Sequence, residues 1–139
     1  MNIYFAGSIR GGRDDQQLYL EIIELLKTYG QVLTEHVGEA TLSALGEDGP
    51  TDKYIYERDM KWLRKSDFLV AEVTTPSLGV GYELGEASGN MPVLCLYRSQ
   101  KGKRLSAMIR GNDLFRVETY QTLADVAQIL KQFFAHQKL

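Results

Sequence analysis

Apolar residues along the chain fall into two kinds of run. Asn2–Ala6, Phe68–Val73 and Val93–Tyr97 are short, largely apolar blocks, the pattern of strands buried on both faces, and Phe115–Tyr120 is a further strand candidate. Gln31–Glu35 is a weaker fifth candidate. Between the blocks the apolar positions recur at helical spacing. Leu18, Ile22, Leu25 and Leu26 run up to a stop at Gly30, Ile55, Trp62 and Leu63 share a face of a helix over 52–65, and Val126, Ala127, Leu130 and Phe134 share a face over 123–135. A further helix is expected from Gly81 to about Gly89, and a short apolar one over Leu105–Gly111. Strands alternating with helices predict an α/β domain with one parallel sheet covered on both sides. Right-handed crossovers in a short chain favour the strand order 2-1-3-4-5, so that strands one and three are neighbours where the order reverses.

That order predicts a flavodoxin/Rossmann-like three-layer sandwich, whose ligands bind at the carboxyl edge of the sheet. Two glycine-rich turns lie at that edge. The first, Gly7-Ser8-Ile9-Arg10-Gly11-Gly12-Arg13, offers backbone N–H groups, a hydroxyl and two arginines ahead of a helix, a composition suited to an anion. It matches neither the dinucleotide fingerprint nor the P-loop, and a flexible turn with solvated arginines is the ordinary alternative. The second, Thr74-Thr75-Pro76-Ser77-Leu78-Gly79-Val80-Gly81-Tyr82-Glu83-Leu84-Gly85, pairs glycines that let a ligand approach with an acid, Glu83, expected in the first helical turn. An acid beside an anion cradle makes sense if the two act on opposite ends of one ligand; the alternative is an acid that only favours the helix dipole. Asp59 falls on the apolar stripe of its helix, where an unpaired charge is costly. It is either functional or paired with Arg58 or Arg64. His36 stands just past the second strand as a pocket, cap or surface residue, and Val37–Asp52 reads as a loop over the sheet edge, suited to a lid.

The 139 residues suit one domain, and a formal net charge of -2 gives no electrostatic case for a nucleic-acid polymer or a membrane surface. No run approaches membrane-spanning length, residues 1 to 9 lack the features of a signal peptide, and the expected setting is intracellular. The single Cys95 lies in an apolar block as a buried thiol, and two histidines with one cysteine make no metal-ligand spacing. No cofactor is expected. Chemistry is left to carboxylates, hydroxyls and backbone, and two carboxylates without a metal suit glycosyl transfer through an oxocarbenium-like transition state.

Five blocks, in order, carry a resemblance. Tyr4 to Arg13, Val32 to Val37, Ala71 to Thr74, Pro76 to Gly85 and Leu105 to Gly111 resemble the 2′-deoxynucleoside 5′-monophosphate N-glycosidases of the nucleoside 2-deoxyribosyltransferase superfamily, and the likeness runs from Ile3 to about Tyr120. The resemblance implies that Glu83 is the nucleophile, that Asp59 assists departure of the base and that Tyr4 orients the glutamate. It places the phosphate on the Gly7, Ser8, Arg10, Gly11, Ser77 and Gly79 segments, with His36 lining the nucleotide pocket. Ile9, together with the 37–52 loop, is expected near the base. It further implies a homodimer in which Ser106, beside Met108, reaches the phosphate of the other subunit, and a cytoplasmic location with the nucleus as an alternative. Transferases acting on unphosphorylated nucleosides carry an acid where this chain has Ser77, and the serine favours a phosphate. The expected reaction is hydrolysis of a deoxynucleoside monophosphate to base and 2-deoxyribose 5-phosphate. Deoxyribosyl transfer between bases, and a non-catalytic nucleotide-binding module, are the alternatives.

Overall fold

A computed structural model describes residues 1–8, 15–34 and 50–137. In chain order the elements are β1 (Asn2–Ala6), α1 (Gln16–Leu26), β2 (Gln31–Val32), α2 (Asp52–Lys65), β3 (Phe68–Glu72), α3 (Leu78–Ala87), β4 (Val93–Arg98), α4 (Ala107–Arg110), β5 (Phe115–Tyr120) and α5 (Leu123–Ala135). The strands pair in parallel as β2-β1-β3-β4-β5, the predicted order, with Ile3 opposite Phe68 and Ala6 opposite Ala71 where β1 meets β3.

Side chains alternate across each strand, and β1, β3 and β4 are buried on both faces, which is why they read as largely apolar blocks, whereas β5 at the edge is half-buried and carries Arg116, Glu118 and Thr119. On one face Ile3, Phe5, Phe68, Val70, Leu94 and Leu96 pack against α1 and α5. On the other, Tyr4, Ala6, Leu69, Ala71, Val93 and Cys95 pack against Met60 and Leu63 of α2 and Val80, Leu84 and Ala87 of α3. Cys95 is buried as expected, and desolvation pushes its thiol up to about 12. Helix starts are set by hydroxyls: the Thr51 side chain accepts from the Tyr54 amide, Ser77 from the Val80 amide, and Thr122 with Asp125 forms a reciprocal capping box. Each such cap contributes about 1 kcal/mol.

Two boundaries differ from the sequence expectation, each for a local reason. β2 stops at Val32 because Thr34 replaces the ladder with its side chain, accepting from the Phe5 amide (2.8 Å) and donating to the Phe5 carbonyl (2.6 Å). α3 begins at Leu78 and not at Gly81, because Ser77 caps it. Gly79 and Gly81 are therefore helical, and Glu83 lies in the second turn of the helix. The buried residues of α2 are Met60 and Leu63, with Ile55 and Trp62 half-buried at the edge of the stripe. At the short helix α4, Leu105 and Ile109 pack on the second core while Met108 stays 82% exposed.

Candidate active site

The crossover from β1 ends at Gly7 and Ser8. A Cβ on Gly7 would lie 3.0 Å from the Tyr19 ring and 3.2 Å from the Phe5 ring, so the close packing of α1 against the end of β1 requires glycine there. Ser8 is fully buried, and its amide donates to the Tyr19 hydroxyl at 3.2 Å. Its own hydroxyl has no partner among the described residues. A buried hydroxyl left unpaired is costly, and a ligand oxygen would relieve that cost. Ile9, Arg10, Gly11 and His36, with most of the 37–52 loop, lie outside the described residues.

The adjacent crossover from β3 supplies the other half. Ser77 is half-buried at the start of α3, and Gly79 sits in the first turn, where backbone N–H groups lack intrahelical partners and the helix dipole favours an anion. One turn further on, Glu83 faces the second core layer and accepts a hydrogen bond from the hydroxyl of Tyr4, which projects from β1 on the same side and is 1% exposed. The carboxylate thus lies one turn into the helix and not at its start. Desolvation, the leading cause, together with the negative charge of Asp59, pushes the Glu83 carboxyl up to about 7, against the opposing hydrogen bond from Tyr4. Burial, and then the charges of Glu83 and Asp59, raise the Tyr4 hydroxyl strongly, so it stays a donor.

Asp59 is ion-paired with Arg58, one of the two readings of the sequence. Arg58 reaches its Oδ1 with two nitrogens, each at 2.9 Å, and the guanidinium is steadied 4.9 Å over the Trp62 ring. Yet Asp59 and Glu83 line one cleft of about 340 Å³, with Tyr56, Tyr82, Leu78 and Gly79 around them. The two tyrosines touch edge to face with hydroxyls 3.3 Å apart at the half-exposed mouth. Sequence reasoning missed this pair, although Tyr56 stands three residues before Asp59 on the same helix face and Tyr82 adjoins Glu83.

A second cleft, of about 440 Å³, opens on the other side of the α3 start, and Ser77, Arg104, Ser106 and Met108 line it. Leu78, 97% exposed, borders both clefts. The structure thus gathers Tyr4, Asp59 and Glu83 in one place, and Ser77 with Ser106 and Met108 in the place next to it. Ser106 lines this cleft from the same chain that carries Ser77, where it also caps α4 by accepting from the Met108 amide.

The sequence matches the nucleoside 2-deoxyribosyltransferase family over residues 3–116. The chain belongs to that family. It is 55% identical over 138 residues to the 5-hydroxymethyl-dUMP N-hydrolase of Danio rerio, covering 96% of both chains. To the 5-hydroxymethyl-dUMP N-hydrolase of Homo sapiens it is 50% identical over 137 residues, covering 95% of this chain and 78% of that one. Among solved structures, the Clostridium botulinum CMP N-glycosidase BcmB has the same fold, with a TM-score of 0.69 at 15% identity over 96% of this chain and 99% of that one.

Proposed function

We propose that the protein hydrolyses the N-glycosidic bond of 2′-deoxynucleoside 5′-monophosphates through a covalent glycosyl-enzyme on Glu83. Its class as an N-glycosidase rests on the N-hydrolase relatives at 50–55% identity. The observation that carries the mechanism is the Glu83 carboxyl, hydrogen-bonded by Tyr4 and set across a cleft from Asp59.

In the first step a Glu83 oxygen bonds to C1′ as the C1′–N bond breaks, and the electron pair leaves with the base. Asp59 donates a proton to the base as it departs, a role general acids fill with effects of about 10²–10⁴. In the second step water attacks C1′ as its bond to Glu83 breaks, Asp59 takes the proton that the water gives up, Glu83 leaves as the carboxylate, and the products are free base and 2-deoxyribose 5-phosphate. Tyr4 keeps the attacking oxygen in line and favours its ionised form. Ser8, Ser77 and the first turn of α3 hold the phosphate at the far end of the ligand, away from the acid.

The exposed Leu78 and Met108, flanking the cleft that holds Ser77 and Ser106, support a homodimer whose second copy covers this face. A Met108→Glu variant is then expected to be monomeric by light scattering and to bind nucleotides more weakly. An unchanged dimer would remove this interface.

The activity itself is tested by incubating a panel of deoxy- and ribonucleoside monophosphates, 5-hydroxymethyl-dUMP among them, with and without an added acceptor base. Chromatography should show free base and sugar phosphate from deoxynucleotides and no base exchange. Base exchange in place of hydrolysis would make the protein a transferase, and binding without release would make it a nucleotide-binding module.

A further inference from the structure

β3 ends in a second buried acid that the chemistry above does not use. Glu72 has 0% exposure and lies on the α1/α5 face of the sheet, opposite to Glu83. An apolar residue would be the cheaper occupant of this position beside Val70 and Leu96. The carboxyl instead collects donors. Its Oε1 accepts from the Thr74 amide and its Oε2 from the Thr74 hydroxyl, both at 2.8 Å, and Oε2 also accepts from the Tyr120 hydroxyl at the end of β5. The chain of bonds continues outward. The Thr74 hydroxyl oxygen accepts from the Arg98 amide at 2.9 Å, and the Arg98 guanidinium grips both oxygens of Asp15, the residue before α1, at 2.8 and 2.9 Å.

The ends of β3, β4 and β5 and the start of α1 are therefore tied together through Glu72, Thr74 and Arg98, with Thr74 in the middle. Three residues later stands Ser77, which starts α3 and carries the hydroxyl assigned above to the phosphate. Burial raises the proton affinity of Glu72, while the bonds from Tyr120 and Thr74 oppose it, and all three donors point at the carboxyl oxygens.

We propose that Glu72 is a positioning residue for the anion end of the site, fixing Thr74 and through it the Thr75–Ser77 turn that aims the Ser77 hydroxyl and the first N–H groups of α3. This role rests on the reading of Ser77 as a phosphate contact. It is distinct from a purely structural one, because it predicts a defect confined to the phosphate-bearing part of the ligand.

The test compares wild type with Glu72→Gln, which keeps the shape but turns one acceptor into a donor, and with Thr74→Val, which keeps the shape but removes the hydroxyl. Calorimetry measures the affinity for 2-deoxyribose 5-phosphate, a probe independent of turnover, and steady-state kinetics gives kcat and KM for a deoxynucleotide and for its nucleoside. Both variants should lose about tenfold in sugar-phosphate affinity and in nucleotide KM, with kcat per folded site within about threefold and nucleoside KM unchanged. Tyr120→Phe, which removes one donor, should move the same quantities about threefold. A lowered melting temperature with unaltered affinity and KM would reduce Glu72 to a structural role. Equal losses for nucleotide and nucleoside would overturn the assignment to the anion end. If Glu72→Gln does not fold, Thr74→Val and Tyr120→Phe decide. Wild type that binds sugar phosphate but releases no base would defeat the proposed reaction and leave this role standing or falling on the affinities alone.

Discussion

Glu72 and Glu83 lie on opposite faces of one sheet edge, both largely withdrawn from water and both with raised proton affinity, yet their surroundings give them opposite uses. Glu72 is fully buried and accepts three hydrogen bonds, two from Thr74 and one from Tyr120. Glu83 has one phenolic donor, a like-charged neighbour and an open cleft. A buried carboxylate saturated with hydrogen bonds is inert and holds its neighbours in place. One that is desolvated but under-coordinated keeps an oxygen available for bonding and a proton equilibrium near neutrality.

Exchange of the two acids for neutral residues breaks the comparison most directly. Glu83→Gln should reduce base release by about 10⁴-fold or more, as expected for loss of a nucleophile, with nucleotide affinity retained. It should also stabilise the fold. Folding raises the Glu83 carboxyl from 4.5 to about 7, so its protonated form favours the native state. That contribution is complete below about pH 4.5 and is lost as pH rises through about 7. Replacement by a permanently neutral side chain should thus raise the melting temperature at pH 8 by about 5 °C, with no difference below pH ~4.5. Glu72→Ala should do the reverse, leaving three donors unpaired and lowering stability by about 2–3 kcal/mol in denaturant titrations. Stabilisation by Glu72→Ala would show that the two sites are alike.

Asp59→Asn should cost about 10²-fold in kcat and, by removing a negative neighbour, shift the acid limb of kcat/KM, expected near pH 7, to lower pH. An unmoved limb would mean that Asp59 does not sense Glu83. The smallest effect is expected at the anion end. Aspartate caps helices as well as serine does, so Ser77→Asp should leave the melting temperature unchanged while weakening nucleotides about tenfold and nucleosides hardly at all.

The sheet order, with β1 beside β3, was legible in the sequence because strands alternating with helical periods admit few topologies. Glu83, Asp59 and Ser77 stood out as polar groups in places where packing alone does not call for them. The start of α3 was misjudged because Gly79 and Gly81 read as loop, whereas a single hydroxyl at Ser77 suffices to begin the helix there. The role of Thr34 in ending β2 was hidden for the same reason: a side chain replacing a backbone ladder leaves no period. Glu72 was passed over because an acid closing an apolar strand signals nothing until Tyr120, Thr74 and Arg98, dispersed along the chain, are seen around it. The Tyr56–Tyr82 contact likewise depends on the approach of α2 to α3.

The central claim, that Glu83 bonds to C1′, is tested most directly by intact-protein mass spectrometry after rapid mixing with a 2′-fluoro deoxynucleotide, whose electronegative substituent slows turnover of the glycosyl-enzyme. The account predicts a mass gain of one fluorinated deoxyribose 5-phosphate, located by peptide mapping to Glu83 in α3 and absent from Glu83→Gln. Stoichiometric base release with no adduct, or an adduct that survives in Glu83→Gln, would contradict it.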